Sequence, residues 1–241
     1  MTLIPDLKIP NVANLVILTL NITLFFLFCN LMLSSILSFV FPRFRTFFLI
    51  EIGISLWSGF IYLILFKIIN SAPSLDNVDW KKVIFLRYCG WIVTTQLLLI
   101  SLCLFLYYGN KVSNFNSLLT KVMILDFIMI SIGYLGDLNY INDNTFINNK
   151  LAAVISFAAM FGLFYLIYEK FFINAKKFNI FNFTILSAYF ILWLIYGITP
   201  EMSSNLDRNL VTNVIDCLSK SIIGLAFGIY IIFNHKTLSN I

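Results

Sequence analysis

The sequence predicts an all-α membrane protein whose single domain is a bundle of seven transmembrane helices. Of the 241 residues, 60% are hydrophobic and only 11% are charged, whereas a soluble domain has about a quarter of its residues charged. A transmembrane helix takes about 20 mostly apolar residues, so this length has room for about seven spans and no separate soluble or catalytic domain. We therefore expect no enzymatic activity.

Seven long apolar runs follow one another along the chain, and each is predicted to be one helix. Strands are excluded because the runs are continuous rather than alternating, and an open sheet cannot satisfy its edge inside lipid. The first run is too long for a signal peptide and no basic segment precedes it, so it is predicted to be the first helix. In order, the predicted helices cover about residues 11–40, 46–70, 83–108, 117–139, 150–173, 178–199 and 208–233.

The charges of the loops predict the orientation. By the positive-inside rule, the loops after helices one, three and five face the cytoplasm, which leaves the N-terminus extracellular and the C-terminus cytoplasmic. Those loops and their flanking turns carry Arg43, Arg45, Lys111, Lys170, Lys176 and Lys177, with Glu169 as their only acid. The N-terminus and the other loops mix Lys81, Lys82, Lys150 and Arg208 with Asp6, Asp76, Asp79, Asp137, Asp143, Glu201 and Asp207.

The formal net charge of +5 does not indicate a nucleic-acid partner, because the cations lie singly or in pairs at helix ends. The expected partner is the lipid bilayer of the plasma membrane. The cysteines lie inside apolar stretches without metal-ligand spacing, so we interpret them as small buried apolar residues and predict no metal site. They are Cys29, Cys89, Cys103 and Cys217.

Ionisable residues inside the apolar runs are the strongest functional signal, because each costs several kcal/mol in the bilayer unless it is paired or hydrated. The candidates are Glu51, Arg87, Asp126, Asp216 and Lys220. Asp216 and Lys220 are spaced i, i+4, so their side chains can meet on one helical face. This pair is either an ion pair of the bundle interior, or a lysine that forms a Schiff base with an aldehyde beside a balancing carboxylate.

The third helix adds a family resemblance. Residues 87–99 read RYCGWIVTTQLLL, which resembles the pattern RYxDWxxTTPLLL of bacteriorhodopsin-like proteins, the microbial (type I) rhodopsins. Asp216 and Lys220 look like the carboxylate and the retinal lysine of that family. Other helices resemble it in the expected order over about residues 45–225, through Tyr62, Asp126, Met129, Gly133, Ser156, Met160, Tyr189 and Trp193.

This resemblance implies all-trans retinal bound covalently to Lys220 as a protonated Schiff base, with Asp216 as its main counterion. It further implies an extracellular charge cluster with Arg87 and Tyr62. Family members often form trimers or pentamers, which implies a homo-oligomer. The implied retinal pocket comprises Trp91, Thr94, Thr95, Met129, Gly133, Ser156, Met160, Leu186, Tyr189 and Trp193.

The departures from the family pattern bear on mechanism. Gly90 stands where outward proton pumps carry the aspartate that accepts the Schiff-base proton, and Ser101 stands where a second carboxylate replaces that proton. Conventional outward pumping is therefore not expected. Because Gly90 leaves space and Thr94 and Arg87 offer donors and positive charge, a chloride ion near the Schiff base is an alternative partner.

Further departures touch the pocket. Leu186 replaces a tryptophan, Phe190 and Gln96 replace prolines, and these changes are compatible with a slow, altered or lost photocycle. Glu51 is expected to extend to the lipid headgroups, with a cytoplasmic proton-transfer or gating role as the alternative. Asp126 is expected to bond Thr95 in a structural role, with a cytoplasmic or gating role as the alternative.

Three functions follow from these residues. The first is a photoreceptor in which light isomerises retinal and the helices, loops or an unidentified transducer protein register the change. The second is a light-gated or light-driven ion transporter, either an anion channel or chloride pump, or less favoured an inward proton transporter. The third is a retinal-free protein that kept the seven-helix fold.

Overall fold

Polar side chains cap several helices and fix where they begin. In the helix Trp80–Gly109, the Asp79 carboxylate accepts a hydrogen bond of 3.1 Å from the main-chain N of Lys82, so the helix begins three residues before the predicted start. Such caps satisfy N–H groups that have no partner inside the helix. The other caps are Asn148 before the helix Asn149–Tyr168, Asn179 before Ile180–Ile198 and Ser204 before Asn205–Cys217.

The computed structural model describes residues 12–72, 77–139, 148–174, 179–202 and 204–239. Within them, seven helices are long and apolar enough to cross a membrane, which confirms the predicted fold class. The α-helices are α1 (Val12–Val40), α2 (Arg45–Ser71), α3 (Trp80–Gly109), α4 (Phe115–Asn139), α5 (Asn149–Tyr168), α6 (Ile180–Ile198), α7 (Asn205–Cys217) and α8 (Ile223–Ser239).

Non-α segments extend or join some of these helices. The 3-10 turns Pro42–Phe44 and Thr199–Glu201 precede α2 and follow α6, and the π-helical segment Glu169–Ile173 extends α5. A second π-helical segment, Leu218–Ile222, joins α7 to α8, so these three pieces form the seventh span. The predicted bounds agree with the structure to within a few residues, except that the seventh span continues beyond 233 to Ser239.

Successive helices pack against each other around the bundle, and α7 and α8 close the ring against α1. α3 and the seventh span are the most buried of the seven spans. Large apolar side chains point outward, with Phe25, Phe39 and Phe233 exposed by 62%, 77% and 80%. This inverted surface suits a lipid environment and makes the chain an integral multi-pass membrane protein.

Some charges used to predict the orientation lie outside the described residues, namely Asp6, Asp76, Asp143, Lys176 and Lys177. The orientation of the termini therefore stays a prediction. Two of the other charges are buried inside the bundle and do not lie at its surface, which corrects that interpretation. Asp137 and Arg208 are buried and form an ion pair between α4 and α7, because an isolated charge there would be too costly.

The bundle interior has two chemically different parts. Between α4, α5 and α6 the interior is mainly apolar and aromatic, including Met160, Phe164 and Trp193. Between α1, α2, α3 and the seventh span runs a line of buried polar side chains, which we call the polar seam. Its members are Thr23, Asn30, Ser34, Glu51, Ser55, Ser58, Tyr62, Thr94, Ser101, Asn213, Asp216 and Ser221.

An aromatic cluster on α2, α3 and α8 gives a test of this packing. The Phe105 ring lies 4.4 Å from the Phe227 ring and 6.1 Å from the Phe47 ring, and Phe105 is 2% exposed. Phe105→Ala should leave a cavity and lower the free energy of unfolding by about 3–5 kcal/mol. The control Phe233→Ala removes a phenylalanine from the lipid-facing surface and should change it little. Unfolding by denaturing detergent measures both, and equal losses would contradict the packing described here.

Candidate functional site

The seventh span places Asp216 and Lys220 in direct contact. Lys220 Nζ lies 2.6 Å from Asp216 Oδ1, and the two side chains are only 4% and 2% exposed. Lys220 lies in the π-helical segment Leu218–Ile222, and short π-helical insertions in helices are frequently found at functional sites. The pairing predicted from the i, i+4 spacing is therefore present in the folded chain.

Asp216 also accepts hydrogen bonds from three helices around it. Tyr62 Oη on α2 donates to Oδ2 at 2.8 Å, Trp91 Nε1 on α3 donates to Oδ1 at 3.4 Å, and Tyr196 Oη on α6 donates to Oδ1. The guanidinium of Arg87 adds a second cation, with Nη1 at 3.7 Å from Oδ2. Charge-assisted bonds of this kind stabilise the ionised carboxylate and fix its position.

Arg87 is held in place by the seventh span. Its Nε donates to Asn209 Oδ1 at 3.0 Å and its Nη2 donates to Asn213 Oδ1 at 2.7 Å. The guanidinium carbon lies 5.9 Å from the centre of the Tyr62 ring. The structure thus brings together Arg87 and Tyr62, the predicted charge cluster, on one side of Lys220.

A large cavity extends away from Lys220 between α3, α4, α5 and α6. It has a volume of about 110 Å³ and is lined mainly by apolar and aromatic side chains, as is usual for small-molecule sites. Seven residues of the predicted retinal pocket line it: Trp91, Thr95, Met129, Gly133, Ser156, Met160 and Trp193. A lysine amine at one end of a mainly apolar cavity fits a long apolar aldehyde such as retinal.

Three predicted pocket residues lie elsewhere. Leu186 and Tyr189 are buried in the adjacent core, where the Tyr189 ring is 5.3 Å from that of Trp193. Thr94 lines a second, smaller cavity and donates to the main-chain oxygen of Gly90 at 3.0 Å. Contact of these three with retinal stays a prediction.

The smaller cavity lies beside Lys220 and Gly90. A Cβ atom added at Gly90 would meet the Ile61 side chain at 3.4 Å, so Ile61 takes up part of the space left by the missing carboxylate. The cavity is also lined by Ser58 and Arg87. Arg87 Nη1 and Ser58 Oγ are buried without a hydrogen-bond partner in the described part of the chain.

Glu51 does not extend to the lipid headgroups, so that interpretation is wrong. It is 1% exposed and lies in the polar seam, where Ser101 Oγ donates to Oε1 and Asn30 Nδ2 donates to Oε2 at 3.2 Å. The error arose because Glu51 lies only about two turns from the start of α2. The partners on α1 and α3 that bury it are distant in sequence.

Asp126 bonds Thr95, as predicted, with Thr95 Oγ1 donating to Oδ2 at 2.7 Å. Gln96, which replaces the proline of the family pattern, also donates to this oxygen at 2.7 Å and to the main-chain oxygen of Met123 at 3.1 Å. Asp126 therefore joins α3 to α4 next to the large cavity.

Sequence reasoning missed two residues at the centre of the site. Tyr196 bonds Asp216 and lies 3.2 Å from Ser219 Oγ; its place three residues after Trp193, on the same helical face, was a usable signal. Asn30 was the other, and its position in the middle of an apolar helix could have identified it as a polar contact inside the bundle.

Comparison with known proteins agrees with this fold. The model of the family described as bacteriorhodopsin-like protein matches residues 14–234, although no curated protein matches the chain. The viral rhodopsin OLPVRII is 24% identical, with 90% of this chain and 97% of that chain covered and a TM-score of 0.73. The Exiguobacterium sibiricum rhodopsin is 20% identical, with 91% of this chain and 95% of that chain covered and a TM-score of 0.75.

A third solved structure is the proton pumping rhodopsin AR2 from the marine alga Acetabularia acetabulum. It is 18% identical, with 94% of this chain and 97% of that chain covered and a TM-score of 0.71. These likenesses establish a shared fold, while the family match covers nearly the whole sequence. The chain therefore belongs to the bacteriorhodopsin-like protein family.

Proposed function

We propose that the protein is a light-absorbing retinal photoreceptor in which Lys220 holds the chromophore and Asp216 is the main counterion. Retinal, joined to Lys220 Nζ as a Schiff base, would supply absorption of visible light and a change of shape by isomerisation. The observation that carries the proposal is the contact of 2.6 Å between Asp216 and Lys220 at the end of the large apolar cavity. Among the described residues, no other lysine is buried.

Asp216 suits the role of a fixed counter-charge. A buried cation on Nζ needs a nearby anion, because desolvation otherwise favours the neutral amine. Asp216 supplies that anion, and its bonds to Tyr62, Trp91 and Tyr196 hold it in place. Gly90 offers no second acid on α3 to accept the Schiff-base proton, which argues against conventional outward proton pumping.

A sensor also needs a route from the chromophore to the rest of the protein. Tyr196 contacts both Asp216 and Ser219, one residue before Lys220, and it belongs to α6. A displacement of Nζ would therefore disturb hydrogen bonds of α6 directly. This contact gives the proposed photoreceptor a direct route from Lys220 to α6.

A second candidate function is light-dependent anion transport, which the smaller cavity favours. Its wall combines Arg87, Ser58 and Lys220, and two of the polar atoms in this wall, Arg87 Nη1 and Ser58 Oγ, have no hydrogen-bond partner among the described residues. A halide could accept hydrogen bonds from both. Two cations there face one acid, Asp216, so an added anion would balance the charge.

The retinal assignment predicts the effect of removing the amine. Purified protein given all-trans retinal should show a visible absorption band, and Lys220→Ala should lose it completely because no covalent bond can form. Lys67→Ala, at an exposed position of the same chain, should keep the band. Absorption spectra measure this, with circular dichroism to show that each variant is helical. A band that survives Lys220→Ala would refute the assignment.

The counterion assignment predicts a colour change in Asp216→Asn. The neutral amide leaves the charge on Nζ without its balancing anion, so the visible band should shift or bleach near neutral pH. Asp216→Glu retains the negative charge and should retain a protonated pigment. An unchanged spectrum in Asp216→Asn, measured in chloride-free buffer, would count against Asp216.

The two candidate functions differ in their response to halide. For anion transport, the visible band should move as chloride is added, and voltage-clamped cells should show photocurrents whose reversal potential follows the chloride gradient. Ser58→Ala should weaken the chloride-dependent shift because it removes one donor of the smaller cavity. A spectrum independent of halide, together with the absence of photocurrent, would reject anion transport and leave the photoreceptor.

A further inference from the structure

The large cavity ends in a wall of α4 and α5 on the far side of the bundle from Lys220. α4 and α5 pack against each other, and α3 and α6 lie between them and the seventh span. The cavity crosses the bundle from Lys220 to Met129 and Gly133 on α4 and to Ser156 and Met160 on α5. A ligand joined to Lys220 at its aldehyde end therefore places its other end against α4 and α5.

Ser156 has an unused hydroxyl group in this wall. A serine or threonine inside a helix often donates to the main-chain oxygen one turn earlier, as Thr94 and Thr95 do at 3.0 and 2.8 Å. Ser156 Oγ is instead buried without a hydrogen-bond partner in the part of the chain that the structure describes. Because a buried polar group without a partner is costly, this hydroxyl is expected to bond a ligand or an ordered water.

Gly133 leaves space beside this hydroxyl. A Cβ atom added at Gly133 would lie 3.7 Å from Ser156 Oγ and 3.7 Å from Tyr88 Oη on α3, and all three residues line the cavity. The two oxygens thus flank one point of the wall, where a single small polar group between them could contact both. A hydroxyl group suits this point because it can donate one hydrogen bond and accept another.

Tyr88 is held in position and continues the polar part of the wall. Its ring lies 4.9 Å from that of Trp91 and 5.1 Å from that of Tyr134, and its phenol faces the Asp137 carboxylate. Asp137 lines the same cavity; its Oδ2 bonds Arg208, while its Oδ1 is buried and has no hydrogen-bond partner among the described residues. The phenol can therefore turn its O–H toward Asp137 and accept a hydrogen bond from a ligand.

Unsubstituted retinal would not satisfy these groups. Its ring end is a hydrocarbon, so it would cover Ser156 Oγ and Tyr88 Oη and displace water from them without replacing a hydrogen bond. A ring that carries a hydroxyl group would bury nearly the same apolar area and would also bond both oxygens. The cost of leaving buried polar groups without partners therefore favours the hydroxylated ring.

We propose that the cavity preferentially binds a retinal whose ring carries a hydroxyl group, which is held between Ser156 Oγ and Tyr88 Oη. Ser156 donates a hydrogen bond to the ring hydroxyl, and the ring hydroxyl donates one to Tyr88. This inference deepens the proposed function by naming the class of chromophore, and it rests on that function because the aldehyde end is still joined to Lys220.

Competition between chromophores tests this inference without any substitution. The retinal-free protein is incubated with an excess of all-trans retinal mixed equally with all-trans 3-hydroxyretinal, and in a second sample with all-trans 4-hydroxyretinal, until the bound ratio is constant. Hydroxylamine then releases the bound chromophores, and chromatography measures their ratio. At least one hydroxylated form should be enriched about 5- to 30-fold over the free mixture, the factor that corresponds to one or two added hydrogen bonds.

Two variants identify the oxygens that are responsible. Ser156→Ala and Tyr88→Phe each remove one oxygen and keep the rest of the side chain, so each should lower the enrichment several-fold, and the double variant should abolish it. Ser35→Ala is the matched control and should leave the enrichment unchanged, because this serine lies on α1 and donates to the main-chain oxygen of Leu31 at 2.7 Å. Absorption spectra show whether each variant still forms a pigment.

Two results would overturn the inference while the proposed function stands. One is equal uptake of retinal and both hydroxylated forms by a wild type that forms a visible band, which would mean that water bonds the polar part of the wall. The other is an enrichment that survives in the double variant, because the ring hydroxyl would then be bound elsewhere. A wild type that forms no visible band with any of the three aldehydes would instead refute the proposed function.

Discussion

The ion pair between Lys220 and Asp216 is the interaction on which the rest of the interior depends. An unpaired charge at this depth would be costly, and the structure meets this cost by surrounding the pair with donors from α2, α3 and α6. Tyr62, Trp91 and Tyr196 are thereby fixed, and they define the position of the helices around the seventh span. The buried ion pair and its hydrogen bonds therefore also connect α2, α3 and α6 to the seventh span.

The separation of the interior into a polar seam and an apolar cavity follows from this pair. Lys220 lies where the two meet: its amine lines the large cavity, while its main-chain oxygen is within 3.4 Å of Asn30 in the seam. This carbonyl belongs to the π-helical segment Leu218–Ile222. The same lysine can thus hold an apolar ligand on one side and transmit its movement to a hydrogen-bond network on the other.

Much of this arrangement could be predicted from sequence, and the limits have a physical cause. The i, i+4 spacing of Asp216 and Lys220 and the motif at residues 87–99 are local signals, as is the length of each apolar run. By contrast, the burial of Glu51, the pairing of Asp137 with Arg208 and the bond from Tyr196 to Asp216 each depend on which helices are neighbours. The positions of Glu51 and Asp137 near the ends of their spans predicted that both are exposed. Packing against the neighbouring helices buries both side chains instead.

Two of the departures from the family pattern on α3, Ser101 and Gly90, have different surroundings. At Ser101 the acid is absent from α3, yet the Glu51 carboxyl of α2 reaches the same point and accepts its hydrogen bond. At Gly90 the neighbouring side chain from α2 is Ile61, an apolar residue at 3.4 Å from the position of an added Cβ, and the cavity there is lined by one acid, Asp216. A site is defined by where a group lies and not by which helix carries it. A buried acid of α2 therefore lies beside Ser101, whereas among the described residues Asp216 is the one acid that lines the cavity beside Gly90.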